Sequence, residues 1–112
     1  MAKKKKKPNK VIRSIHDVTI DMLVDELSTD EQYVSIRKNV EYSNKGYKGE
    51  LDIEAITIDN WYHYFEVKTT YNRKSYKKAS GQIHRYMRAY PTRKIKGFYK
   101  TPDILIEVKT SV

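Results

Sequence analysis

A chain of 112 residues with 23 Lys and Arg against 14 Asp and Glu carries a formal net charge of +9 and no cysteine. That length supports one modest core, which excludes a two-domain enzyme, and the missing cysteine removes disulfides, thiolate metal sites and thiol nucleophiles together. No apolar run approaches the roughly 20 residues that span a bilayer, and none follows the basic N-terminus, so the expectation is an intracellular protein (cytoplasmic or nucleoid-associated), not secreted and with no membrane partner.

Residues 1–10 hold six lysines and no acid; with Pro8 among them they read as a disordered basic tail, leaving 11–112 as a single domain. From Ser14 to Leu27 the residues Ile15, Val18, Met22, Leu23 and Leu27 recur at helical spacing, with Asp17 as cap or first-turn acid and Glu26 bordering the buried stripe. Tyr33 to Tyr42 is rich in strand formers, and Ser43 to Gly49 is a basic, glycine-containing turn that carries Lys45 and Lys48. Glu50 to Ile58 alternates, with Leu51, Ile53 and Ala55 to one side and Glu50, Asp52 and Glu54 to the other. Asp59-Asn60 makes a hairpin turn into a third strand, Trp61 to Lys68.

A second helix starts at Lys74 or Ser75, its apolar face marked by Tyr76, Ala79, Ile83, Tyr86 and Tyr90, and Pro91 lies just past its end. Lys96 to Tyr99 and Ile104 to Val108 close the chain as short strands. The order α-β-β-β-α-β-β predicts an α+β domain with a mixed sheet flanked by helices. His63 falls with Trp61 and Phe65 and reads as a core histidine, whereas Tyr47 and Tyr71 sit in basic loops suited to base stacking.

The charge is partitioned. Residues 11–66 contain 12 acids against five basic residues, and the 36 residues from Val67 to Pro102 contain 11 basic residues, five tyrosines and no acid. A polyanionic partner fits the second half. The first half crowds carboxylates on one face of a hairpin, where they repel unless a cation intervenes. Oxygen ligands without cysteine or a histidine cluster suit Mg²⁺, with Mn²⁺ able to substitute, rather than zinc.

Gly49-Glu50-Leu51-Asp52, followed after a hairpin by Phe65-Glu66-Val67-Lys68, resembles the core signature of the PD-(D/E)XK nuclease superfamily. The resemblance covers about residues 14–108 and implies a restriction-endonuclease-like αβββαβ core. It implies Asp52 and Glu66 as metal ligands, the Val67 carbonyl completing the shell, and Lys68 positioning the attacking water. Glu26 matches the acid that many members place on the first helix, and Gln82 the glutamine that several place on the second. No proline stands immediately before Asp52, so the family's proline is missing and the run reads as a G-x-x-D variant. A second triplet, Glu107-Val108-Lys109, follows Pro102-Asp103 without an intervening hairpin and reads as a chance copy, since about one E-x-K is expected by chance in so lysine-rich a chain.

The resemblance thus implies a Mg²⁺-dependent endonuclease acting on duplex or branched DNA. It would be structure-selective, as the homodimeric Holliday-junction resolvases are, for no base-reading motif is present. Lys45, Lys48, Arg73, Lys74, Lys77, Lys78, Arg85 and Arg88 would grip the phosphate backbone. The competing expectation is a non-catalytic basic nucleic-acid-binding protein whose acids are structural.

Overall fold

The computed structural model describes residues 13–109; the expected basic tail lies outside the described residues. Helix α1 (Ile15–Ser28) begins where Ser14, in extended backbone, accepts the Asp17 N–H on its hydroxyl, satisfying one of the donors a helix start leaves orphaned. Asp17 is therefore a first-turn acid and not the cap. The helix buries Thr19, Ile20, Leu23 and Leu27 and leaves Ile15, Val18 and Met22 exposed, which corrects the expected stripe. Apolar residues occupy more than one side of α1, so periodicity alone does not choose the face; the sheet does. Glu26 continues the row Val18–Met22 by one more turn and so faces solvent.

Strands β1 (Tyr33–Asn44) and β2 (Tyr47–Thr57) form a long hairpin. Its turn is Lys45-Gly46, with φ of 54° and 83°, the paired positive values of a two-residue hairpin turn. Most of the expected basic turn is therefore strand. Three residues then lead to β3 (Trp61–Val67), followed by α2 (Arg73–Ala89), β4 (Lys94–Lys100) and β5 (Leu105–Val108). The sheet order is β1-β2-β3-β4-β5, with β3 and β4 parallel and the other pairs antiparallel. The fold is thus α+β with a mixed sheet, and α2 makes the crossover that a parallel pair requires.

The helices cover opposite faces. Under α1 lie Ile53, Ala55, Phe65 and Val67; under α2 lie Leu51, Tyr64, Tyr99 and Val108, packed on Ala79, Ile83 and Tyr86. His63 is buried on the α1 face, hydrogen-bonded to the Tyr33 hydroxyl at 2.7 Å, and burial pushes its pKa down. Leu51 and Ile53 sit two apart yet serve opposite faces, which corrects the expected alternation of β2. The break falls at Asp52, across from which Asn39 adopts φ of 57° and interrupts the ladder between Lys38↔Ile53 and Val40↔Leu51.

Gly97 lets α2 approach β4: a β-carbon there would run into Ile83 Cγ2 and lie 3.0 Å from Cδ1. Gly97→Ala is expected to destabilise the fold by about 1–3 kcal/mol through overpacking, read as a lower denaturant midpoint at unchanged slope. Among the described residues no helix is long and apolar enough to cross a membrane.

Candidate active site

The site forms where β2 and β3 part. Their ladder ends at Ile53↔Phe65; one step further along the same register, Asp52 stands across from Glu66. There the Asp52 carboxylate, not a strand carbonyl, accepts the Val67 N–H, at 2.8 Å to Oδ2. That bond ties the backbone of the E-x-K triplet to the aspartate from the other strand. The same Oδ2 lies 3.4 Å from His16 Nε2, so the first turn of α1 closes the site from one side.

Glu66 follows Tyr64 by two and shares its face of β3. It is 4% exposed, with one oxygen accepting the Tyr64 hydroxyl and the other 3.3 Å from Lys68 Nζ. Burial first, and the Asp52 charge second, push its carboxyl up to about 7 against the opposing pull of Tyr64 and Lys68. The Tyr64 phenol is driven upward mainly by its own burial, which keeps it a proton donor to Glu66. Lys68 Nζ also donates to Gln82 Oε1 at 3.0 Å. The ammonium is thus suspended between β3 and α2 instead of swinging free.

Four of the five expected catalytic residues therefore meet: Asp52, Glu66, Lys68 and Gln82. Glu26 does not join them. It is exposed and lies ten residues along α1 from His16, about 15 Å at the helical rise. The helix contributes His16 instead. Once the buried row of α1 is read as Ile20–Leu23–Leu27, His16 heads it at i−4, and that spacing is the signal in the sequence. Glu54, expected beside Asp52, is buried and neutralised by Arg37, whose Nη2 and Nε reach Oε1 at 2.7 and 3.2 Å. Glu50 is exposed.

The donor set fits a hard divalent cation. Asp52 and Glu66 are two neighbouring carboxylates in a site largely shielded from water, where burial first and the Asp52 charge second raise the Glu66 pKa; a bound cation would offset both. Among the described residues no group of three or more His, Cys, Asp and Glu side chains converges as ligands, so a backbone carbonyl or water would complete any shell.

The basic residues sort by position. A groove of about 510 Å³ is lined by Lys68, Lys77, Lys78, Gly81, Gln82 and Arg85, and a second, about 270 Å³, by Lys68, Asn72, Lys74, Ser75 and Lys78. Both share Lys68, so the ammonium held between Glu66 and Gln82 borders both grooves. Helix α2 starts at Arg73, with Asn72 as its cap accepting from Ser75 N–H; Arg73 and Lys74 thus belong to its first turn and not to a preceding loop. Cations at a helix N-terminus oppose the macrodipole, and Lys74 and Lys78 repel at i,i+4. Arg73 borders a different cleft, described below, and Arg88 is exposed beyond Arg85. Lys45 and Lys48 sit at the β1–β2 tip, which docks on the far end of α2 through Asn44 Nδ2 donating to the Ala89 carbonyl at 2.6 Å. No protein-family model matches the chain, and no curated protein matches it.

Proposed function

We propose that this protein is a metal-dependent endonuclease that hydrolyses DNA phosphodiester bonds and is structure-selective, acting on branched DNA such as a flap or a four-way junction, as its resemblance to the PD-(D/E)XK nucleases implies. The observation that carries the reading is Lys68 bridging Glu66 and Gln82 beside Asp52, at the mouth of a basic groove. Asp52, Glu66 and the Val67 carbonyl would hold Mg²⁺ or Mn²⁺. When bound, that ion supplies Lewis acidity and lowers the pKa of a water ligand.

The chain's own residues do the rest. Gln82 and Glu66 hold the Lys68 ammonium in place, where it orients the attacking water and offsets charge gathering on the phosphate. Tyr64 fixes the rotamer of Glu66. Lys74, Lys77, Lys78 and Arg85 form a cationic wall whose mutual repulsion and opposition to the α2 dipole are relieved by a phosphate backbone. A homodimer would present two such clefts to opposing strands.

The test is incubation with Mg²⁺ over single-stranded, duplex, flap and four-way-junction DNA, with the branched substrates expected to be cut faster than plain duplex or single strand. If DNA is bound but never cut, the non-catalytic reading replaces this one. Separately, Lys77→Ala and Lys78→Ala are each expected to weaken binding evenly across substrates. Each should lower the slope of log K against log salt by about one, as measured by anisotropy titrations at several salt concentrations.

A further inference from the structure

On the other side of the α2 N-terminus lies a cleft that the cleavage chemistry does not use. It is about 380 Å³, mostly apolar, and lined by Tyr71, Asn72, Arg73, Tyr76 and Ile106, a size within the roughly 300–1,000 Å³ of small-molecule sites. The Tyr99 ring anchors its aromatic wall. It meets Tyr76 edge-on, with centroids 5.3 Å apart, and Tyr71 at a tilt, 6.1 Å apart. Tyr99 is fully buried and held by its hydroxyl to Ser75 Oγ at 2.6 Å and the Thr70 carbonyl at 3.1 Å. The loop carrying Tyr71 is also fixed at its start, where Lys68 N–H donates to the Lys100 carbonyl at 2.8 Å. Tyr71 is nevertheless 61% exposed: a large ring held in place yet offered to solvent.

The geometry points to this cleft as the seat of an unpaired nucleobase of the DNA whose phosphates lie in the adjoining groove. Flat tyrosine faces stack any base, and Arg73 in the cleft lining, beside the groove of Lys68, Lys74 and Lys78, matches the backbone that carries it. Asn72 lines both this cleft and the groove of Lys68, Lys74, Ser75 and Lys78, so the two adjoin at the start of α2. A strand running past Lys68 would deliver its next unpaired base to Tyr71, whereas a blunt duplex keeps its bases stacked inside. The substrate class is thus DNA with a single-stranded segment beside the cut, such as a flap, a tail or an opened junction arm. The inference rests on the proposed function for the strand in the groove.

The experiment measures binding in EDTA, where nothing is cut, to a duplex with a single-stranded tail bearing 2-aminopurine and to the same duplex blunt-ended. The wild type is expected to prefer the tailed duplex and to quench the tail's fluorescence. Tyr71→Ala should weaken tailed binding by about 10-fold or more, abolish the quench and leave blunt binding unchanged, while Tyr71→Phe retains both. An exposed ring can be truncated without loss of fold, and an unchanged thermal midpoint checks this. Equal tailed binding by wild type and Tyr71→Ala, or equal loss on both duplexes, overturns the proposal. So does self-association of the wild type that Tyr71→Ala abolishes without changing DNA affinity, which would make a second copy the occupant. Tyr71-dependent binding by a protein that never cuts with Mg²⁺ supports the base site and rejects the nuclease reading.

Discussion

Lys68→Ala is expected to slow Mg²⁺-dependent cleavage by about 10²–10³-fold while DNA affinity changes little. The magnitude is that of removing one preorganised charge-stabilising donor from a water-poor site. The geometry gives the reason: Nζ stands 3.3 Å from Glu66 and 3.0 Å from Gln82, so it is aimed before substrate arrives and no reorganisation is needed during reaction. Affinity survives because Lys74, Lys77, Lys78 and Arg85 still line the groove. Single-turnover rates with saturating protein separate the two effects. A variant that cuts as fast as the wild type removes Lys68 from the mechanism, and one that loses binding in proportion to rate makes it a phosphate contact only.

Glu66→Gln is expected to abolish cleavage and yet to stabilise the metal-free protein above pH 7. Glu66 has a folded-state pKa raised from 4.5 to about 7. Between those values the native state binds the extra proton, so stability falls as pH rises through the window. The full effect is about 3 kcal/mol, complete above pH 7 and absent below about 4.5. Glutamine keeps an oxygen for the Tyr64 hydroxyl and carries no charge, so the variant's stability should be flat over the same range. Urea midpoints in EDTA at pH 5 and pH 8 read this directly. Added Mg²⁺ should raise the wild-type midpoint at pH 8, because it binds the folded carboxylates, and leave the variant unmoved. Equal pH slopes for the two proteins would show that Glu66 is neither buried nor crowded as described.

The parts of this arrangement legible in sequence were those fixed by local pattern. The short turn between β2 and β3 sets the register that brings Glu66 and Asp52 together on neighbouring strands. Lys68 follows from standing two residues after Glu66 on one strand face, whereas Gln82 is marked only by the resemblance to the nuclease superfamily. What sequence could not choose was which side of an element meets the sheet. Helix α1 has apolar residues at Ile15, Val18 and Met22 and again at Ile20, Leu23 and Leu27, and only the partners Ile53, Phe65 and Val67 select the second row. That rotation sends Glu26 to solvent and brings His16 to Asp52. Likewise Leu51 and Ile53 look equivalent in an alternating strand until Asn39, left-handed in the facing strand, breaks the ladder. Arg37 and Glu54 are cross-strand partners in the β1–β2 hairpin, a pairing that can be read only once the turn is placed at Lys45-Gly46. Gly97 reads as an ordinary strand glycine until the helix above it is in place.

The most direct test of the central claim, that Asp52 and Glu66 together make a metal-dependent phosphodiester-cleaving centre, sets wild type beside Asp52→Asn. Each is incubated with labelled four-way-junction DNA in Mg²⁺ and in EDTA. Asparagine still accepts the Val67 N–H, so the fold and the basic groove persist while one anionic ligand is gone. Cleavage by the wild type in Mg²⁺ alone, with the variant binding normally but inert, is the predicted result. Cleavage by Asp52→Asn at the wild-type rate, or a wild type that binds the junction and leaves it intact with Mg²⁺ and Mn²⁺ alike, would contradict it.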